Sequence, residues 1–321
     1  DALTSGQQNV ALGWNALGLD TLGNRSVAIG HSALDAQNFT TATNSYNVAM
    51  GYNAGTAVTT GTNNTLIGGL AGDSVTTGSY NTLLGTVAGD ALTTANSNVA
   101  VGYSALSTDT LGAKNVAVGV SALLTQNFTT ATDSYNTGVG HNAGKLITTG
   151  VNNTLIGGLA GDAITDADWN VSLGYRSLSS NTVGSKSVAI GSYALDVQNP
   201  ATATDMFNTA VGHYAGQAVT TGTGNTLIGG LAGDALTTSN NNVAIGYQAL
   251  TTDTLGTKTV AIGVDALKSQ NQTTNTDTYN VALGYYAGRD VTTGIQNTLI
   301  GGLAGDALTD ADANVAIGVG A

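Results

Sequence analysis

A five-residue core of the form N-[VT]-x-[aliphatic]-G begins at positions 9, 26, 47, 64, 81, 98, 115, 136, 153, 170, 187, 208, 225, 242, 259, 280, 297 and 314 of this 321-residue chain, eighteen times in all. The step is 17 residues except for four steps of 21, which begin at 26, 115, 187 and 259. A repeat this short holds one supersecondary turn and cannot bury a core alone, so successive units must stack. Units of 17, 21, 17 and 17 residues compose a 72-residue super-repeat, marked by starts at 98, 170, 242 and 314. The first super-repeat is longer because one unit is doubled: NTLIGGLAGDSVTTGSY at 64–80 is followed by NTLLGTVAGDALTTANS at 81–97. Growth by whole units is the habit of a solenoid, in which each coil touches only its neighbours.

Within the unit, the first position is Asn in 15 copies, with Ser26, Ser187 and Thr259 as exceptions. The fourth is always Ile, Leu, Val or Met, the fifth always Gly, and the eighth Ala except at Ser177. Alternation in NVAIG is the period of a strand and places Val and Ile on one face and Ala on the other. Stacked aliphatics are expected to form the core, with Ala where the roll is thinnest. Glycine then permits a sharp corner. A second apolar–Thr segment (AVTT, ALTT) follows, and G-[TS]-x-N closes the circuit, which predicts two short strands and two turns per coil. Stacked Asn can satisfy turn polar groups through an amide ladder.

The predicted fold is therefore all-β: a parallel β-solenoid, or β-roll, of 17-residue coils, 18 coils long and about 85 Å at the strand spacing. Residues 1–321 read as a single uncapped segment of a longer array, because both ends fall inside a coil. Helical repeats are excluded, since no unit offers ten helix-favouring residues free of Gly.

The glycine-rich run GGLAGD recurs four times, ending at Asp73, Asp162, Asp234 and Asp306, and its chemistry is that of a corner. It lacks the GK[ST] of a phosphate-binding loop and the G-x-G-x-x-G spacing. Calcium-binding nonapeptides need copies nine residues apart, and hexapeptide helices need an aliphatic every six; neither pattern is present.

Eight Lys and Arg against a net charge of −12 leave too few cations for a nucleic-acid surface. No run of 18 apolar residues exists to span a membrane. Cysteine is absent, which removes disulfides and thiolate metal sites. No cofactor motif is found, no catalytic constellation emerges, and the histidines are too many coils apart to share a metal ion.

SVAIGHSAL (26–34), SVAIGSYAL (187–195) and NVAIGYQAL (242–250) resemble the head repeats of trimeric autotransporter adhesins, and equally the NxAIGYxAL…TTGxxN repeats of trimeric phage tail fibres. The resemblance covers essentially the whole chain. It implies a left-handed roll that trimerises, an extracellular cell-surface or virion location, and attachment to a host glycan or matrix protein. Handedness is only implied by the resemblance, because the general rule for parallel crossovers is right-handed. The usual adhesin unit is shorter than 17 residues, and no neck, stalk or anchor is seen. Alternatives are a phage tail-fibre shaft and a self-assembling filament of monomeric solenoids.

Candidate binding residues stand just after the invariant Gly: Trp14, His31, Tyr52, Tyr103, His141, Tyr175, His213, Tyr247 and Tyr285. Rings at a corner either stack on sugar faces or pack against the next coil or a neighbouring subunit. The four inserted loops, at 37–46, 126–135, 198–207 and 270–279, either display ligands, with Phe39 and Phe128 as rings, or are bulges pinned by their last aromatic. Leu66, Leu83, Leu155, Leu227 and Leu299 replace the small third residue. If that face points outward, they form an oligomer interface, with a trimer axis to bury them.

Overall fold

The computed structural model describes residues 3–321; Asp1 and Ala2, read above as the tail of a coil, lie outside the described residues. The chain divides into two compact units, one running to Gly158 and the other from Leu159 to Ala321. Each is a parallel β-solenoid, and among the described residues there is no helix.

In the first unit, nine three-residue strands from Val10–Leu12 to Thr154–Ile156 pair in order, parallel and without slippage. Val10 faces Val27, Ala11 faces Ala28 and Leu12 faces Ile29. The 21-residue step keeps the same register, with Val27 opposite Val48. The second unit repeats this arrangement from Val171–Leu173 to Val315–Ile317. The sequence step is thus one coil, and a long coil takes up its extra four residues without shifting the strand register.

The expected second strand forms only beside the long coils. Gly112–Ala113 pairs with Thr132–Asp133, and equivalent pairs stand at the other three inserts. In 17-residue coils that side is a bend, where Thr59 N at 2.9 Å and Gly61 N at 3.3 Å share the Thr76 carbonyl of the next coil. Two donors on one oxygen tie neighbouring coils but make no ladder.

Strand polarity also differs from expectation. The third position points inward: Ala28, Ala49 and Ala100 are fully buried, whereas Val and Ile at the second and fourth positions stay half-exposed. The interior is too narrow for stacked β-branched chains from that strand. It is filled instead by the third-position side chain, the eighth-position Ala and an aliphatic from the ninth or twelfth position. Ala33, Leu34, Val58 and Ala54 all have no exposed surface.

Leu66, Leu83, Leu155, Leu227 and Leu299 follow the same polarity, and each is 0% exposed. The reading of these five as an outward oligomer interface is therefore corrected: their own chain covers them. The reason is a volume exchange. Coils with Leu at position nine carry a small residue at three (Ala28 with Leu34, Ala100 with Leu106), and those with Leu at three carry Gly at nine. Coils small at both, such as Ala49 with Gly55, are filled by leucines of the two neighbouring coils, a β-carbon on Gly55 falling 2.4 Å from Leu66 Cδ1 and 3.1 Å from Leu34 Cδ2. A β-carbon on Gly72 would lie 2.8 Å from Leu83 Cδ1 and 3.0 Å from Leu66 Cδ2. The last glycine of GGLAG thus makes room for leucine, which stabilises by about 1.5–3 kcal/mol when fully buried.

The fifth-position glycine is required twice over. Its φ is 138° at Gly102 and 132° at Gly229, and a β-carbon there would stand 2.5 Å from the carbonyl oxygen of the next coil's glycine. No other residue fits a column in which backbone lies on backbone. Buried Asn holds the opposite end of the strand. Asn64 Oδ1 accepts from Asn81 N at 2.9 Å, and Asn64 Nδ2 donates to Gly78 O at 2.8 Å. Each amide therefore ties two coils and closes its own, and buried backbone groups are satisfied.

Candidate functional site

With the interior filled, chemistry is confined to the outer face of the long sheet and the turns that flank it. Along the face run the half-exposed second and fourth positions. At one flank stand the rings after the invariant Gly. At the other stands the last residue of each coil, just before the buried Asn.

On the first flank, Trp14, His31 and Tyr52 come from three successive coils. Trp14 and His31 have ring centroids 4.7 Å apart, and His31 and Tyr52 are 5.3 Å apart and stacked. Trp14 is 66% exposed and Tyr52 58%, so the stack faces solvent. In the second unit, Tyr175 and His213 are joined by two rings that the sequence reading missed. Tyr193 lies edge-on to Tyr175 at 5.6 Å and stacks on Tyr214 at 5.0 Å, and Tyr214 meets His213 at 4.0 Å. Arg176 lies over Tyr193, 5.6 Å from its centroid. Burial against these neighbours, and then the flanking Tyr175 and Tyr214, raises the Tyr193 hydroxyl above its ordinary pKa, so it stays a neutral donor.

Tyr285 stacks on Tyr286 at 3.9 Å, with Arg289 over the far ring. Among the described residues, no other ring lies against Tyr103, His141 or Tyr247. Nor do the described residues contain a group of three His, Cys, Asp or Glu able to hold a metal ion. The described residues hold no helix long and apolar enough to cross a membrane.

Phe39 and Phe128 are only 5% exposed, so their reading as displayed binding rings is corrected. Each insert folds inward over a buried polar network. Asp109 Oδ1 accepts from Gly112 N at 2.9 Å and Phe128 N at 3.4 Å, while its Oδ2 accepts from Gln126 Nε2 at 2.6 Å. Thr110 Oγ1 holds the Phe128 carbonyl at 3.0 Å. The phenylalanine is carried inside with its backbone.

The second flank holds the rings that end the inserts, Tyr46, Tyr135, Phe207 and Tyr279, together with Tyr80 and Trp169. These six are 47–64% exposed. A cation from the preceding coil reaches each insert ring. Lys114 Nζ is 2.5 Å from Asp133 Oδ2 and 2.9 Å from the Tyr135 hydroxyl, and sits 5.0 Å from the ring centroid. Lys258 repeats this with Asp277 and Tyr279, and Lys186 with Asp205 and Phe207. Arg25 bonds the Tyr46 hydroxyl and Gln8, with Asn44 where the other inserts have Asp. Bonding to Asp133 first, then Tyr135, raises the Lys114 pKa; the Lys258 bond lowers that of Asp277. The 17-residue register carries this row too, but its residues differ from coil to coil, and no single letter marks it.

No protein-family model matches the chain, and no curated protein matches it.

Proposed function

We propose that the chain is a structural segment of an elongated extracellular fibre or adhesin, assembled from three copies that meet through the outer face of the long sheet. The observation that carries this reading is the fourth-position row, aliphatic in every coil. It includes Met50 (39% exposed) and Leu84 (43%) in the first unit, and Leu173 (43%), Ile228 (37%) and Leu283 (44%) in the second. With second-position Val between Thr residues, nine coils offer a strip about 43 Å long and 7 Å wide, about 300 Å² per unit. Its size is within the range of a monomer's own largest patch; the reading rests on its unbroken run at one register, which favours an identical partner aligned coil to coil. The resemblance to trimeric head and fibre repeats sets the number at three. The flanking rings supply attachment.

Subunit stoichiometry by light scattering after size exclusion tests the reading. The expected species is a trimer, which Met50→Glu with Leu84→Glu, or Leu173→Glu with Leu283→Glu, converts to monomer. A wild-type monomer that adds end to end would overturn it in favour of a filament.

A further inference from the structure

The last residue of each coil adopts a left-handed backbone. Its φ is 49° at Tyr46, 50° at Tyr135, 52° at Phe207 and 49° at Tyr279. A β-carbon costs about 1–2 kcal/mol in that region. Gly224, with φ 69°, shows that the rank accepts glycine. Every insert nonetheless ends in an aromatic ring that remains 47–60% exposed, so packing returns little for the strain. The strain belongs to the circuit, since Arg25, Asn63, Ser97 and Lys114 share it with φ of 62°, 59°, 61° and 63°; what sets the insert ends apart is the exposed ring carried there.

Each ring has a cation on one side along the row, and three of the four have an amide on the other. The preceding coil supplies Arg25, Lys114, Lys186 or Lys258, and the following coil supplies Asn63, Asn152, Gly224 or Gln296. At Tyr135, the ammonium, the Asp133 carboxylate and the phenol hydroxyl form a cluster beside the half-open ring. The cation is already matched by a carboxylate at three of the four inserts. With a chain charge of −12, an acidic ligand is disfavoured. With the cation over one part of the ring, the spare lone pairs, ammonium protons and amides around it instead complement vicinal hydroxyls, which donate and accept together.

We infer that the insert-ending rings, each with its cation and three of the four with a following amide, are binding sites for neutral hexopyranosides. The exposed part of the ring, clear of the cation that lies over it, meets the C–H face of the sugar, and the polar groups hold its hydroxyls. The inference rests on the attachment role proposed above and names its ligand class. Within the first unit, Tyr46 and Tyr135 are five coils apart, about 24 Å; within the second, Phe207 and Tyr279 are four coils apart, about 19 Å. Either spacing suits a polysaccharide held at several weak points. The third insert lacks two of the parts, with Phe207 for Tyr and Gly224 for an amide, and is the weakest site.

The test uses the full chain in two assays: affinity electrophoresis through galactomannan, and saturation-transfer NMR with methyl β-D-galactopyranoside and methyl β-D-glucopyranoside. Retardation and transfer to at least one glycoside are expected. Tyr46→Gly, Tyr135→Gly and Tyr279→Gly together should weaken retention by about a hundredfold, since multivalent gain is lost, and the conformation of Gly224 protects the fold. Phe207→Tyr with Gly224→Asn should strengthen retention. Absence of transfer from both glycosides, retention unchanged in the triple variant, or a change in subunit number caused by that variant would each overturn the inference, the last by assigning the row to a subunit junction. The trimer reading is decided separately, by wild-type stoichiometry.

Discussion

The second and third inserts, 126–135 and 198–207, occupy the same place in their coils but are held by different chemistry. In the second, Asp109 gathers three donors in the interior. In the third, Asn181 stands in its place, accepting from Gly184 N at 3.0 Å and donating to Gly184 O at 2.7 Å. Where Phe128 offers its N–H to Asp109, the third insert has Pro200, which has none. Where Ser134 bonds Asn115, the third has fully buried Met206. A charged network and a neutral, more apolar one thus close the same loop. A buried carboxylate is tolerated only when enough donors surround it, and losing one donor goes with losing the charge.

The largest expected effect tests that statement directly. Asp109→Ala takes the shared acceptor from three buried donors and should cost ~3–5 kcal/mol, whereas Asn181→Ala strands only the Gly184 N–H, the Gly184 carbonyl keeping Asn170 Nδ2 at 3.0 Å, and should cost about 1–2 kcal/mol. Hydrogen exchange of amides in the two inserts reads both losses locally. Equal losses would show that the carboxylate network adds nothing over the amide.

Next in size is the reverse exchange. Asn181→Asp places a buried charge opposite Pro200 and should destabilise the third insert by about 2–3 kcal/mol. Pro200→Phe, which restores the N–H, should recover about 1 kcal/mol of that loss in a double-mutant cycle. A cycle without coupling would break the link between proline and amide.

A smaller effect is expected at Asp277, whose carboxyl the Lys258 bond and then the Thr257 hydroxyl hold below 3.8. The sign follows from that direction: its contribution is complete above pH about 4 and disappears as pH falls through the lowered value. Thr257→Val should move the titration upward in carboxyl-detected NMR. Asp205 in the third insert faces Lys186 at 2.6 Å, and Ser185, whose hydroxyl accepts from Asp168 N at 3.0 Å, stands where Thr257 does. Smallest of all, Lys114→Met and Lys186→Met should each leave the thermal unfolding midpoint almost unmoved, as exposed pairs do. A clear fall at either would reveal packing that the ion pairs conceal.

The period, the register and the glycine column were legible because each follows from one repeated letter at one repeated interval. Which strand face lies inside was not. Alternation defines two faces, and only the width of the roll decides that Ala and Leu go in while Ile and Val stay out. Leu66 was read as exposed because it was taken alone; paired with Gly72, it is the same leucine that other coils carry at position nine. Phe128 was read as displayed because inserts often are, and the donors that draw it inward come from Asp109, 19 residues earlier. Among the candidate rings, Trp14, His31 and Tyr52 fell on one flank as their common position required. Tyr193 and Tyr214 escaped notice because they lie one position further on.

The glycine column and the paired strands share one direction: nearly every bond between coils points along the stack. Tension applied along a unit therefore loads those bonds end-on, and the coils yield singly instead of together. Each 17-residue coil let go would lengthen the chain by about 55 Å, and a 21-residue coil by more. Under load, such a stack behaves as a row of short extensible links, giving way at its weakest coil while the others keep their shape.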